Sequence, residues 1–134
     1  MSTETERLRN LLEDELGECR EEDVSRRLGK LDDLLAEAGA DDASTDADVF
    51  SALGNDTRYL IVRLLATADD DLCPCEFESL IDVSQSAISH ALSTLVDAGL
   101  VERRPEGKWR YYRATPLAEG LLDALDADHE GRDE

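Results

Sequence analysis

The sequence predicts a mainly α-helical fold with one small β-hairpin. Aliphatic residues recur at helical spacing through much of the 134-residue chain, and glycines follow several of these segments, where helices commonly end. Near the carboxyl end, two β-prone segments, 100–104 and 109–114, flank the stretch Pro105–Lys108, and Gly107 within it is typical of a hairpin turn.

The composition is strongly acidic. Asp and Glu number 33 against 14 Lys and Arg, which gives a net charge of −19, and only two of the basic residues are lysines. No apolar run approaches the ~20 residues of a membrane span, and the polar start lacks the apolar core of a signal peptide. These features exclude a membrane protein, a disulfide-built secreted module and a generally basic nucleic-acid binder, and they predict a cytoplasmic protein. Abundant carboxylates with scarce lysine resemble the proteins of halophiles that accumulate molar salt.

The first part of the chain predicts a helical extension and a linker. Residues 5–16 place four leucines on one helical stripe, and residues 22–38 repeat the pattern. Both helices are too acidic and too narrow to form a domain alone, so we expect them to pack on the rest of the chain or on a second subunit. We assign residues 1–38 to an N-terminal helical extension and the polar stretch 39–48 to a linker.

Residues 49–127 predict a compact domain, followed by an acidic tail at 128–134. Two short helices joined by a tight turn at 82–84 precede the hairpin, and this order is that of a winged helix-turn-helix. The expected helices of the domain lie at residues 49–53, from Asn55 or Asp56 onward, at 76–81, at 85–98 and at 117–125. The predicted fold is therefore a winged helix-turn-helix with an N-terminal helical extension.

One segment of the acidic chain is almost free of charge. Residues Val83–Gly99 contain a single charged side chain, Asp97. On a helix over this segment, small polar side chains share one face, where they could approach phosphates and base edges in a major groove without repulsion. The candidate DNA-binding residues of this segment are Ser84, Gln85, Ser86, Ser89, His90 and Ser93.

The hairpin supplies the cations that the helix lacks. Residues 84–115 contain 5 basic and 3 acidic residues, so this window escapes the acidic bias, and its partner is expected to be an anion. A basic wing can lie along the backbone or minor groove of double-stranded operator DNA. We expect the aromatic residues between the cations, which include Trp109, to pack the wing on the core. The candidate wing contacts to DNA are Arg103, Arg104, Lys108, Arg110 and Arg113.

Cysteines provide the candidate effector site. In a chain without an export signal, cysteines suggest free thiols or ligands rather than a structural disulfide. Two cysteines at spacing i, i+2 on a regular helix point apart. Pro74 favours an extended Cys73 and the first turn of a helix, so the sulfurs of Cys73 and Cys75 could converge on one ion. Soft thiolates select soft centres.

The sequence resembles the ArsR/SmtB family of metalloregulatory repressors from about Val49 to Leu125. The resemblance is carried by ALGNDTRYLIVRLL at 52–65, LCPCEFESLIDVSQSAISHALSTLVDAGLV at 72–101 and GKWRYYRATP at 107–116. It implies a homodimer that pairs through its first and last helices, binds operator DNA and leaves it when a metal ion or metalloid binds. The N-terminal helices are not part of the common family core and look like a haloarchaeal extension.

The Cys-x-Cys at the start of the first motif helix resembles the arsenic- and antimony-responsive branch of the family. The resemblance therefore implies As(III) or Sb(III) as the effector. Relatives of this type often have a third cysteine three residues after the second, where this chain has Glu78. Because Cys19 is the remaining cysteine, our hypothesis is that it supplies the third sulfur, from the same or the other subunit.

Other functions remain open at this point. The thiols could serve a zinc- or cadmium-responsive repressor or a redox-sensing repressor of the same fold. A thiol–disulfide enzyme and a protein-interaction module are further alternatives. We predict that the protein is not an enzyme, because the sequence has no Ser/His/Asp set, phosphate loop or metal-hydrolase motif, and no constitutive cofactor is expected.

Overall fold

The computed structural model describes the backbone of residues 3–132 and the side chains of residues 5–131. The order of elements is α1 (Thr3–Leu16), α2 (Glu21–Glu37), α3 (Ala43–Leu53), α4 (Asp56–Thr67), α5 (Pro74–Leu80), α6 (Gln85–Asp97), β1 (Val101–Glu106), β2 (Trp109–Ala114) and α7 (Pro116–Arg132). The predicted fold class, mainly helical with one β-hairpin, is confirmed. The chain forms two compact units that divide between Ser44 and Thr45. No helix within the described residues is long and apolar enough to cross a membrane.

The N-terminal unit contains α1 and α2. Leu12 and Val24 are its buried aliphatic side chains. An ion pair of 2.8 Å joins Arg9 Nη2 to Glu21 Oε1 at the start of α2. Several leucines of these helices stay exposed, so the predicted stripes are only partly buried within this unit; they are Leu11, Leu16, Leu28, Leu34 and Leu35.

The second unit is built around a mainly aliphatic core that also contains two aromatic rings, those of Phe77 and Tyr112. Phe77 of α5 is fully buried, as are Ile88 and Leu95 of α6. Asn55 begins α4, because its side-chain oxygen accepts a hydrogen bond of 3.0 Å from the N–H of Arg58. The remaining core comes from α3, α4, α6, the residue before the hairpin, the hairpin itself and α7, and includes Ala52, Ile61, Val62, Leu65, Leu92, Leu100, Val101, Tyr112, Ala118 and Leu122.

The hairpin is antiparallel, with Val101 opposite Ala114 at its base and Glu106 opposite Trp109 at its tip. Gly107 has φ +63 in the turn, a conformation that favours glycine. A third segment joins the hairpin through Leu72, which forms an isolated antiparallel bridge with Tyr112 of β2. The wing is thus attached along its inner strand to the chain that leads into α5.

Three element boundaries differ from the sequence prediction. The predicted linker at 39–48 is partly helical, because α3 begins at Ala43, and alanines and a first-turn Asp46 favour a helix there. The predicted tail at 128–134 is helical as far as Arg132, since Asp126 in α7 pairs with Arg63 of α4 at 2.8 Å and extends the docked part of the helix. The structure does not describe residues 133–134.

The third difference lies in the hairpin. Strand β1 continues through Pro105 to Glu106, so the turn is shorter than the predicted stretch Pro105–Lys108. A strand with only one ladder partner tolerates a residue without an N–H group.

Candidate nucleic-acid interface and thiol pair

Helices α5 and α6 form the two-helix motif that the sequence predicts. Ile81 ends α5, and its N–H donates to the carbonyl oxygen of Phe77 at 2.8 Å. Ser84 begins α6, because its Oγ accepts a hydrogen bond of 3.1 Å from the N–H of Ala87. Phe77 and Ile88 are both fully buried, so one apolar face of each helix belongs to the core. The opposite face of α6 is therefore available to a partner.

The free face of α6 carries the predicted small polar side chains. Between them, the buried residues Ile88, Ala91, Leu92 and Leu95 hold the helix against the core. The face presents hydroxyl, amide and imidazole groups and has no carboxylate between Gln85 and Val96. The structure brings together on this exposed face Gln85, Ser86, Ser89, His90 and Ser93, with Ser84 exposed at its start.

The cations of the wing fall into two groups. Arg113 Nε donates to Glu102 Oε2 at 2.9 Å, and Arg104 pairs with both Glu106 and Asp71. Among the residues that the structure describes, the remaining wing cations form no ion pair; they are Arg103, Lys108 and Arg110. The second group is therefore the one whose positive charge is not compensated by a neighbouring carboxylate.

Arg104 has the densest set of contacts in the wing. Its Nη1 lies 2.7 Å from Glu106 Oε2, and its Nε lies 3.1 Å from Asp71 Oδ2. Its guanidinium carbon stands 5.1 Å from the centre of the Tyr111 ring. The hydrogen bond to Glu106, followed by that to Asp71, raises the pKa of Arg104 above its ordinary value. These contacts fix the guanidinium in one place.

The aromatic residues of the wing do not all pack on the core. Tyr112 is buried, as predicted, but Trp109 is 51% exposed. Lys108 Nζ lies 5.6 Å from the centre of the Trp109 ring, which is within range of a cation–π contact. The expectation that Trp109 packs on the core is therefore wrong, because this residue lies at the tip of the hairpin, beyond the reach of the core.

The thiol pair lies at the start of α5. Cys73 is extended, with φ −87 and ψ 148, and Pro74 occupies the first turn. The N–H of Cys73 donates to Glu76 Oε1 at 2.9 Å, which satisfies one of the free N–H groups at the helix start. In this geometry Cys75 Sγ lies 3.1 Å from Cys73 Sγ. The structure thus brings the two predicted sulfurs together, with Cys73 buried and Cys75 exposed.

The electrostatics at the pair favour the protonated thiol at Cys75. Its hydrogen bond to Cys73 raises the pKa of Cys75, and partial desolvation and the negative charges of Cys73 and Glu76 raise it further. The free-energy cost of binding at Cys75 is therefore smaller for a soft centre that reacts with the neutral thiol than for a metal ion that must displace the thiol proton.

Cys19 lies in the N-terminal unit, between α1 and α2, and is half-buried. Partial burial, and then the carboxylate of Asp23, raise the pKa of this thiol. Glu78 is exposed on α5. Within the described part of the chain, no group of three His, Cys, Asp or Glu side chains converges on one point. Among the described residues, one segment thus brings two candidate ligands together, the sulfurs of Cys73 and Cys75.

A family model for bacterial regulatory proteins of the arsR family matches residues 55–103. A Halobacterium salinarum protein named "Putative arsenical resistance operon repressor ArsR" is 53% identical over 121 residues, which cover 90% of this chain and 94% of that protein. The chain belongs to the ArsR family of regulatory proteins. The resemblance that the motifs at 52–65, 72–101 and 107–116 indicated is thus confirmed.

Two further comparisons agree with this membership. A second H. salinarum protein, named "Putative arsenical resistance operon repressor ArsR2", is 55% identical over 87 residues, covering 65% of this chain and 73% of that protein. A solved Mycobacterium bovis structure is described as the homodimeric winged helix-turn-helix DNA-binding domain of a possible ArsR-family regulator; it matches with a TM-score of 0.62 and 28% identity, covering 72% of this chain and 90% of that chain. The winged helix-turn-helix arrangement is confirmed.

This ArsR-family chain also exposes an apolar surface between α3, α4 and α7. It surrounds a cleft of about 400 Å³ lined by Phe50, Leu53, Gly54, Tyr59, Leu121, Ala124 and Leu125. Phe50 is 63% exposed, and Leu117 and Leu125 of α7 are exposed as well. Apolar surface of this kind, on the first and last helices of the domain, is typical of an interaction site.

Sequence reasoning missed the contacts between the thiol segment and the wing. The sequence pattern predicts no contact between these segments, yet Asp71 pairs with Arg104 and Leu72 with Tyr112. These partners are more than thirty residues apart in the sequence, and a local pattern carries no signal for them. The excess of acidic residues in a chain with an arginine-rich hairpin is the sequence feature that could have indicated ion pairs at some wing cations.

Proposed function

We propose that this ArsR-family protein is a cytoplasmic transcriptional repressor that binds operator DNA as a homodimer and releases it when As(III) or Sb(III) binds to Cys73 and Cys75. The observation that carries the proposal is the 3.1 Å separation of the two sulfurs at the start of α5, the first helix of the two-helix motif, which contacts α6. One soft ligand at this point acts on the helix-turn-helix itself.

The polar face of α6 supports the DNA-binding part of the proposal. An exposed face of serines with Gln85 and His90 can enter a major groove, and glutamine can pair with adenine through two hydrogen bonds. In this proposal the uncompensated cations Arg103, Lys108 and Arg110 contact the phosphates of the DNA backbone. In molar salt the release of counterions drives binding weakly, which favours a reading face that relies on hydrogen bonds and shape.

Dimerisation is supported by the apolar surface of α3 and α7. An exposed Phe50 and the aliphatic side chains of α7 leave a patch that a second copy can cover. The homodimeric relative from M. bovis supports the same assembly for this chain. A two-fold dimer would set two α6 helices about one helical turn of DNA apart.

Arsenite suits the thiol pair by its chemistry. Each As–S bond forms as one As–O bond of As(OH)₃ breaks, and the thiol proton leaves with the hydroxide as water, so neither oxidant nor base is required. Cys73 and Cys75 supply two sulfurs, and Cys19 remains the predicted source of a third. Drawing the sulfurs onto one centre changes the first turn of α5. A 100-fold loss of DNA affinity corresponds to about 2.7 kcal/mol of coupling.

The same sulfur contact supports a redox switch as a second candidate. The two thiols would lose two protons and two electrons to a hydroperoxide and form a disulfide, while the hydroperoxide becomes an alcohol and water. Zinc or cadmium is a further candidate effector because both bind thiolate.

The test is a fluorescence anisotropy titration of the full chain against the DNA upstream of its own gene, in molar KCl. We expect tight binding that arsenite or antimonite weakens by about 100-fold. Cys73→Ser and Cys75→Ser should each abolish the release and keep the DNA affinity. Cys19→Ser should reduce the arsenite-induced release if Cys19 is a ligand. Ser79→Ala, on the same helix, is the matched control. Release by a hydroperoxide or by cadmium, but not by arsenite, would replace the metalloid with the corresponding alternative.

A further inference from the structure

The segment before the thiol pair is attached to the wing at two points. Leu72 and Tyr112 exchange backbone hydrogen bonds, with Leu72 N to Tyr112 O at 3.0 Å and Tyr112 N to Leu72 O at 2.8 Å. One residue earlier, Asp71 Oδ2 accepts from Arg104 Nε at 3.1 Å. Since Leu72 is bonded directly to Cys73, a change in the conformation of Cys73 acts on both contacts.

The ion pair is the adjustable part of this connection. The Asp71 side chain is 21% exposed and that of Arg104 is 48% exposed, so the carboxylate is the more desolvated partner and its contact is less screened by salt than a fully exposed pair. Arg104 in turn holds Glu106 near the tip of the hairpin and covers the ring of Tyr111 on β2. Its guanidinium therefore connects the thiol segment to both strands of the wing.

We infer that Arg104 is a positioning residue, which transmits the state of the thiol pair to the wing, and is not a phosphate contact. A phosphate on Arg104 would compete with two carboxylates that already hold the guanidinium, and it would meet their negative charge. Arg103 and Arg110 have no such neighbours in the described residues. The inference rests on the function proposed above and names the route by which the effector acts on DNA.

Charge-removing variants separate positioning from DNA contact. If Arg104 contacted DNA, Asp71→Asn would free it and tighten binding. If Arg104 positions the wing, Asp71→Asn and Arg104→Gln give the same result: DNA affinity without effector stays within about threefold of the wild type, and the arsenite-induced loss of affinity shrinks by about tenfold or more. The double variant should be no worse than either single variant. Glu106→Gln, which removes the other partner of Arg104, is the matched control and should keep the arsenite response.

Two readouts do not depend on DNA. Trp109 is the single tryptophan of the chain and lies on the wing, so its emission should change when arsenite blocks the thiols, and this change should be lost in both variants. Without any effector, the amides of Leu72 and Tyr112 should exchange hydrogen about tenfold faster in Asp71→Asn and Arg104→Gln than in Glu106→Gln.

The outcomes distinguish the two ideas. If the wild type fails to bind DNA or to release it, the proposed function fails, and the amide exchange still decides the role of Arg104. If the wild type releases DNA normally, the inference is overturned when Arg104→Gln lowers DNA affinity as strongly as Arg110→Gln. It is equally overturned when Asp71→Asn leaves both the exchange rates and the arsenite response unchanged.

Discussion

Cys73 and Cys75 are separated by one residue in the sequence, and their sulfurs lie 3.1 Å apart. On a regular helix the two side chains would point about 200° apart around the axis. They meet because Cys73 is still extended when Pro74 begins α5. A proline between two thiols at a helix start thus brings two sulfurs together within one short segment of chain.

The raised pKa of Cys75 predicts different pH dependences for two effectors. Below that pKa, cadmium must displace a proton from the Cys75 thiol, so its dissociation constant should fall by at least about tenfold per pH unit between pH 6 and pH 8. The pH range over which cadmium must displace this proton extends to higher pH because the pKa of Cys75 is raised rather than lowered. Arsenite condenses with neutral thiols and releases water, so its affinity should stay flat.

Competition titrations with a chromophoric chelator for cadmium, and thiol protection for arsenite, measure both profiles. Cys75→Ser is the control, since the slope for cadmium should decrease in this variant. A flat cadmium profile would show that Cys75 is already a thiolate at pH 6.

The wing cations with and without carboxylate partners should contribute differently to the salt dependence of DNA affinity. Arg110 has no carboxylate partner in the described residues, so Arg110→Gln should reduce the slope of log Kd against log salt by about 0.9 for each copy bound. The double variant Glu102→Gln with Arg113→Gln removes an ion pair of 2.9 Å without changing the net charge, and should leave the slope unchanged. Anisotropy at several KCl concentrations measures both, and equal slopes for the two variants would refute the division.

The sequence predicts the helix-turn-helix well because the contacts that begin and end its helices join residues close together in the chain. Ser84 caps α6 and Asn55 caps α4, and Gly99 follows the end of α6 with φ +77. These contacts join residues two to four positions apart, so the sequence displays them directly.

The parts that sequence reasoning missed depend on the tertiary structure. The Asp71–Arg104 pair and the Leu72–Tyr112 bridge exist only after the hairpin folds back on the entry to α5. Arg104 and Arg113 were predicted to face DNA, and their carboxylate partners became evident only from the strand register and the fold. The position of Trp109 between the wing cations predicts that it packs the wing on the core, whereas its place beside the turn exposes it.

Two serines at the start of α6 should separate stability from DNA binding. Ser84 Oγ caps the helix, so Ser84→Ala should lower the free energy of unfolding by about 1 kcal/mol. Ser86 is exposed on the polar face, so Ser86→Ala should change stability by less than about 0.5 kcal/mol and weaken DNA binding. Urea unfolding and anisotropy on the same samples make the comparison. Equal stability of the two variants would mean that the cap contributes nothing.

Phe77 should be the residue of α5 on which folding depends most. Its ring is fully buried beneath α6, so Phe77→Ala leaves a cavity and should lower the free energy of unfolding by about 3–5 kcal/mol, a large part of the ~5–15 kcal/mol of a small domain. Leu80, on the same helix, is 61% exposed, and Leu80→Ala should cost less than about 0.5 kcal/mol. Urea unfolding at one fixed protein concentration measures both, because dimerisation adds to apparent stability. Similar losses for the two variants would contradict the placement of α5 against the core.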